Sequence, residues 1–343
     1  MRLMRELMHR QTVLNIMFAA VLLCTGKATA QAQELQQIGH LIDDALIFSD
    51  KYITPATDAA VYQSVSGWIT SPKKTKLWEA TIALHVNAFL TPQSDRTFTI
   101  HNSDLSFFQL EEGTSATVPT AVGNKHQVYL HGQLGESDVR LETPQGINMK
   151  TVAYPYLQGS LGLPLGTELV IKYSPQVNLK KSNYQVYGFG LKHNISQYFD
   201  TITQKKFHLA ALVAYSKEDI SVNFLNVETD YGTLGINRIN GLVDTWQGQL
   251  SGSKEFGRWE AMGSFIVTRS EFKYRVSGDT GTIEDIIPLQ YILNTRLKEI
   301  YKTRVNYIGE AAIKYNIGNF NVQTVLAFGK FINSNVSLQY TIH

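Results

Sequence analysis

The serines, histidines, acids and glycines of this chain stand at spacings that assemble no familiar reaction centre. Gly159-Ser160-Leu161-Gly162 sets a serine between glycines, but it lacks the Gly-x-Ser-x-Gly spacing that lifts a nucleophile onto a strand-to-helix elbow. His85, His193 and His208 lie near serines in segments that read as strands, and no sequence rule gathers them into a Ser-His-Asp site. They are expected to be solvated lumen or surface histidines. No two histidines have metal-ligand spacing and no Asp-rich calcium loop appears, so neither metal nor cofactor is expected. Gly188-x-Gly190 lacks the third glycine and the helix of a dinucleotide site, and it reads as strand packing. Glu111-Glu112 and Glu284-Asp285 read as exposed loop charges. The expectation is a protein that is not an enzyme.

The charges that remain are ordered by period-2 alternation. From Val305 to Ile317, Val305, Tyr307, Gly309, Ala311, Ile313, Tyr315 and Ile317 alternate with Arg304, Asn306, Glu310, Lys314 and Asn316. After Gly318-Asn319 come Phe320, Val322, Leu326 and Phe328, interleaved with Asn321 and Gln323. Val336, Leu338, Tyr340 and Ile342 then oppose Asn335, Ser337, Gln339 and Thr341. Such alternation gives a strand one apolar and one polar face. Three long, tightly linked segments of this kind suit an all-β, antiparallel transmembrane barrel with a lipid-facing exterior and a polar lumen. On that reading Glu168, Lys172, Lys192, Glu260, Arg304, Glu310 and Lys314 point inward, with both signs of charge present. A mixed-sign lining implies weak ion selectivity at best.

Alternation also marks Ala80–Ala88, Val152–Leu163, Thr167–Tyr173, Tyr187–Ile195, Phe207–Tyr215, Leu242–Leu250 and Trp259–Val267. Thr97–Leu110 is a further candidate strand. Ten strands are clear, and because such barrels favour even numbers the expected count is twelve, with ten or fourteen as alternatives. Glu111–Gly146, with at most one hairpin, and Ser277–Asn294 read as long loops. Tyr154, Tyr156, Tyr173, Tyr184, Tyr198, Phe199, Tyr215, Trp259, Tyr301, Tyr307, Tyr315 and Tyr340 fall near strand ends, where an aromatic girdle meets lipid headgroups.

The N-terminal region reads differently. Arg2, Arg5 and Arg10 precede an apolar run from Val13 to Cys24, and Ala28-Thr29-Ala30 follows as a small-x-small site, so residues 1–30 are expected to be a secretory signal peptide. With Leu23 before it, Cys24 is not expected to carry a lipid. Four basic residues and Glu6 leave with that segment, and the formal charge falls from +2 to about −1. The mature chain then has no cysteine and nothing that argues for nucleic acid. Residues 31–75 form a helical, plug-like segment: Leu35, Ile38, Leu41, Ile42, Ala45, Leu46 and Phe48 recur at helical spacing. Pro55 is expected to end that helix, with Ala59–Tyr62 adding a short turn. The segment is expected in the lumen, at the periplasmic mouth or on the membrane, and residues 76–343 are assigned to the barrel.

Three stretches carry a resemblance. Ala45–Trp68 spaces Phe48-Ser49, Tyr52, Pro55 and Gly67-Trp68 in a particular way, Leu157–Pro175 is the most specific, and Tyr187-Gly-Phe-Gly-Leu-Lys-His193 is the third. Together they resemble a family of Bacteroidetes outer-membrane proteins without assigned catalytic or ligand residues, over nearly the whole mature chain. That family is distantly similar to the long-chain fatty-acid channel barrels, which carry an N-terminal plug. The resemblance implies an outer-membrane protein whose partners are membrane lipid, the barrel-assembly machinery and, as candidate cargo, small or hydrophobic molecules. The chain departs from such barrels in ending Tyr340-Thr341-Ile342-His343 and not on an aromatic residue, which bears on assembly efficiency and not on the fold. The two functional expectations are a plugged channel and a non-conducting structural or partner-binding barrel, with a lipid-modifying enzyme a weaker third. Ile313 and Leu338 are expected to face lipid, Lys314 and Gln339 the lumen, and arginine at Gln339 to be tolerated.

Overall fold

A computed structural model describes residues 36–342, apart from 136, 149, 180–181, 224–227, 230–231, 234–235 and 279–287. The expected signal peptide, Cys24 and Glu284-Asp285 lie outside the described residues. Among the described residues, ten antiparallel strands close into one barrel. In chain order they are β1 (Ala80–Leu90), β2 (Thr151–Gly162), β3 (Thr167–Leu179), β4 (Ser182–Asn194), β5 (Phe207–Asn223), β6 (Arg238–Phe256), β7 (Trp259–Ser277), β8 (Lys302–Ile317), β9 (Phe320–Phe328) and β10 (Ile332–Ile342). Each pairs with the next, and β10 returns to β1 with Leu338 opposite Leu84. An even count lets an up-and-down meander close antiparallel, leaving no free edge.

The count of ten corrects the expected twelve. Of Thr97–Leu110, only Thr97–His101 forms a five-residue strand, and it pairs with Ser115–Pro119 away from the barrel. A barrel strand needs roughly 9–11 residues to cross a bilayer. The expected loop over Glu111–Gly146 carries more order than one hairpin: Gln109–Leu110, Tyr129–Leu134 and Ser137–Glu142 form a second small sheet. A helix, Leu289–Arg296, occupies the end of the other expected loop.

Alternation along the strands divides the side chains as the pleat requires. Ile82, Leu84, Leu157, Ile171, Phe189, Leu191, Val213, Leu250, Phe265, Ile313 and Leu338 face outward and are about half exposed. Asn87, Gln158, Thr245, Gln249, Gln323, Asn335, Ser337 and Gln339 face inward and are buried. A belt of exposed large apolar side chains around a closed barrel is far larger than a water-facing monomer tolerates, and it marks a lipid contact. On β7 the outward face is apolar from Trp259 to Val267 and then charged at Arg269, Glu271, Lys273 and Arg275. At about 3.3 Å per residue and a tilt of about 40°, that apolar stretch is about 23 Å tall, close to the roughly 25 Å band of such barrels. Beyond it β5–β7 continue as a water-exposed wall, where Lys273 pairs with Asp244 at 2.9 Å. The connections 163–166, 195–206, 257–258 and 318–319 lie at one end, and the three longest, 91–150, 224–237 and 278–301, lie at the other together with the short 329–331. These are called the turn end and the loop end below.

The aromatic expectation is met in part. Of the expected residues, Tyr198, Phe199, Trp259 and Tyr340 are exposed near the turn end, where Phe207, Phe256 and Phe320, outside the expected set, join them; Trp259 packs against Tyr315 and Phe320 against Tyr340. Tyr154, Tyr156 and Tyr184 belong to no girdle. They stand on inward register positions and pack in the lumen with Ala60. The outward neighbours of Tyr154 and Tyr156 on β2 are Ala153, Pro155 and Leu157, so alternation, not nearness to a strand end, decides the face.

Candidate functional site

A single helix, residues 36–65, runs down the lumen. Its first turns sit among the loop-end segments, and the chain leaves it at the turn end to enter β1 at Ala80. The helix continues through Pro55, against the expectation that it stops there. Proline removes one helical hydrogen bond and crowds the carbonyl four residues back. Here Pro55 is buried among packed neighbours on both sides, and Thr57 Oγ1 donates to the Thr54 carbonyl at 3.0 Å, so tertiary packing overrides the local preference. Every residue from Pro55 to Thr70 is buried. Small side chains make that fit: Ala56, Thr57, Ala59, Ala60, Ser64 and Ser66 face the wall at close range. A Cβ added at Gly241 of β6 would lie 2.4 Å from the Thr57 methyl, so this wall position must stay bare.

Gly67 ends the helix with φ +73°, the left-handed cap that favours glycine. The last carbonyls of a helix need donors and carry its negative pole. The wall supplies the donors and a positive charge to face that pole. Lys172 Nζ, fully buried, donates to the Ser64 and Ser66 carbonyls at 2.8 Å each and lies over the rings of Trp68 and Tyr156, each 4.6 Å away. Asn333 Nδ2 donates to the Tyr62 carbonyl at 3.0 Å, Asn87 Nδ2 to Gln63 at 3.1 Å, and Gln158 Nε2 to Trp68 at 3.1 Å. Glu310 accepts from the Gly67 N–H at 3.1 Å. Nearer the turn end, Lys192 pairs with its cross-strand neighbour Glu168 at 2.5 Å and donates to the Ser71 carbonyl, while Thr75 Oγ1 donates to Glu168. Glu260 accepts from Ser71 Oγ at 2.8 Å and Ser253 Oγ at 2.6 Å, and Lys314 stands opposite it in register. Arg304, half buried, pairs with Asp58 of the helix at 2.6 Å.

The structure thus places all seven sequence-selected charges, Glu168, Lys172, Lys192, Glu260, Arg304, Glu310 and Lys314, on inward positions around one segment. Sequence reasoning missed Glu218, which is fully buried on β5. Extending the Phe207–Tyr215 alternation by three residues would have found it on the inward face. It also missed Asp44, Asp50 and Asp58, helix acids that meet backbone N–H groups or wall cations. The histidines stay apart. His85 stacks on Tyr156 at 4.5 Å in the lumen, His193 faces Thr167 and Tyr198, and His208 contacts Glu255.

At the loop end the surroundings of the helix become apolar. Ile42, Leu46, Ile53, Phe89, Ile147, Ile239, Phe272, Val276, Leu293 and Leu297 share one core with it. The cap over this mouth is pinned by Asp44, whose buried carboxylate accepts N–H bonds from Ser106, Phe107 and Phe108 at 2.7–2.8 Å. Lys330, in the β9–β10 connection, pairs with Asp58 and Asp95. Burial opposes its charge, but those carboxylates outweigh burial and hold the ammonium above the usual lysine range. On the outer surface of the cap, the Arg140 guanidinium holds the Glu111 carboxyl below its ordinary range. Asp44→Ala removes the acceptor of three charge-assisted bonds, each worth about 1.5–3 kcal/mol. The expected result is faster amide hydrogen exchange at residues 106–108 with barrel amides unchanged. Unaltered protection at those amides would show that the cap does not depend on Asp44.

The model of a family of unknown function, DUF6588, matches residues 8–342. No curated protein sequence matches significantly. Similar solved structures include the translocator domain of the autotransporter NalP from Neisseria meningitidis, at 8% identity over 86% of this chain and 99% of that one, with a TM-score of 0.27. The transport unit of the autotransporter AIDA-I from Escherichia coli is 9% identical over 85% and 99%, with a TM-score of 0.26. OccAB4 from Acinetobacter baumannii is 8% identical over 80% and 100%, with a TM-score of 0.20. The chain belongs to the DUF6588 family.

Proposed function

We propose that this DUF6588-family barrel resides in the outer membrane, conducts nothing in its resting state, and works through its capped outer mouth without catalysing a reaction. The half-exposed apolar belt supports the membrane location, and long loops at one end fit the usual rule that such loops face the cell exterior. The observation that carries the reading is the filling of the lumen: residues 55–70 are buried without interruption, and the outer half of the same helix lies inside the main apolar core. A plug meant to leave would have to expose that core to water. One feature favours the channel alternative. The turn-end half of the lumen is polar, and its hydrogen bonds could be exchanged for water at modest net cost.

Planar-bilayer recording separates the two. The full mature chain is expected to be silent, and so is a variant with Asp58→Asn, which loosens the helix without removing it. Deleting residues 36–70 is expected to open a conducting lumen. Steady conductance from the full chain, or voltage- and ligand-induced opening without deletion, would establish a gated channel and end the closed-barrel reading.

A further inference from the structure

The outer mouth holds a partly open cavity of about 170 Å³ between the lumen helix, the cap and the raised β5–β7 wall. Leu41 and Phe48 of the helix, Leu105 and Phe108 of the cap, and Ile239 and Leu293 of the wall side give it an apolar lining. It stands beyond the outward apolar belt, on the water side of the boundary set by Arg269 and Glu271, so lipid tails do not reach it. An engineered apolar cavity of about 150 Å³ stays dry and takes up benzene or xenon, so this space fits one aromatic ring or a short branched alkyl group.

Most polar groups on the lining, Ser49 apart, hold partners of their own. Asp44 holds three backbone N–H groups, Tyr52 Oη donates to the Gln145 carbonyl at 2.9 Å, Gln145 donates to Gln127, Glu142 accepts from Tyr129, and Asn223 accepts from Arg238. Among the described residues lining it there are two acids, Asp44 and Glu142, and no lysine, arginine or histidine. A bound carboxylate would therefore meet negative charge and no cation, with its desolvation uncompensated. We infer that the mouth cavity is a binding site for a neutral, compact apolar molecule, of the size of a single substituted aromatic ring, and that it excludes the anionic counterpart. This inference rests on the closed-barrel reading only in taking the mouth as the working face, and binding is measured independently of conductance.

The test uses the full mature chain in lipid nanodiscs and fluorine NMR, with 4-fluorotoluene as the neutral probe and 4-fluorobenzoate as its anionic match. Empty nanodiscs correct for partition into lipid. The expected result is saturable binding of 4-fluorotoluene and at least tenfold weaker binding of 4-fluorobenzoate. Ala45→Phe, which puts a ring into the cavity from the helix, is expected to weaken 4-fluorotoluene binding at least tenfold while the barrel keeps its heat-modifiable gel mobility. Phe108→Ala keeps the backbone N–H that Asp44 holds and enlarges the cavity, so it is expected to raise affinity for 1-fluoronaphthalene at least fivefold. If Ala45→Phe does not fold, the Phe108→Ala result decides. No saturable binding to the wild type, benzoate binding as tight as toluene, unchanged binding by a folded Ala45→Phe, or no gain in Phe108→Ala would each overturn the proposal. Silent bilayers alongside any of these would leave the closed-barrel reading in place.

Discussion

Lys172→Met is expected to destabilise the folded barrel by about 3–5 kcal/mol, the usual cost of breaking a fully buried charge arrangement by removing one partner. Lys172 is the cation at the end of the lumen helix, bonded to the Ser64 and Ser66 carbonyls and within electrostatic reach of Glu218 and Glu310. Methionine fills similar space and keeps contact with the Trp68 and Tyr156 rings, so packing changes little. What is lost is the ammonium that attends those two carbonyls, and two buried acids keep their places without it. The loss should appear as a lower unfolding midpoint in urea and a lower temperature for conversion of the compact gel band. Adding Glu218→Gln and Glu310→Gln to Lys172→Met should recover much of it, because neutral amides no longer need a counter-charge. A Lys172→Met protein within about 1 kcal/mol of wild type would show that water or rearranged side chains already satisfy this layer, and that the lumen is wetter than the packing implies. Bilayers should stay silent for Lys172→Met, because the outer half of the helix remains in the apolar core.

The barrel and its facing were legible because a half-buried strand must alternate, and alternation survives in the residues however the strands are connected. Ile313 and Lys314, or Leu338 and Gln339, needed no tertiary information: one member of each pair is about half exposed and the other is buried. The helix through Pro55 was not legible, since only the enclosing wall makes that conformation worth its lost hydrogen bond. Nor was the role of Tyr154 and Tyr156, which look like girdle residues until the register of β2 is known. The cap was read as irregular because its strands, such as Thr97–His101, are too short for periodicity to register. The mouth cavity had no local signal at all. Its walls come from segments far apart in the chain, and a helix stripe such as Leu41, Ala45 and Phe48 reads as ordinary core until the partner surfaces leave a gap beside it.

Leu338→Arg is expected to cost about 2–4 kcal/mol in lipid, because it places a guanidinium on the outward face near the middle of β10, where the hydrocarbon is thickest. Ile332→Arg, on the same face but at the loop end of that strand, should cost only about 0–1 kcal/mol, because the charge reaches the headgroups. This gradient with depth is the signature of a bilayer. A soluble core would penalise burial without regard to height. The lumen is packed at Gln339 and not open. Gln339 is fully buried and donates to Gln323 at 2.6 Å and Ser337 at 3.0 Å, so Gln339→Arg places a charge with no acidic partner in a buried layer of neutral polar groups and is expected to be costly, against the tolerance that an open lumen would allow. Facing is therefore better read with brominated lipids and single-tryptophan proteins. A protein whose only tryptophan is Leu338→Trp should be quenched strongly. One that keeps only Trp68, buried in the lumen, should be nearly untouched. Equal quenching of the two, or an Ile332→Arg cost that matches Leu338→Arg, would mean that lipid does not surround this wall, and the membrane assignment would fall with it.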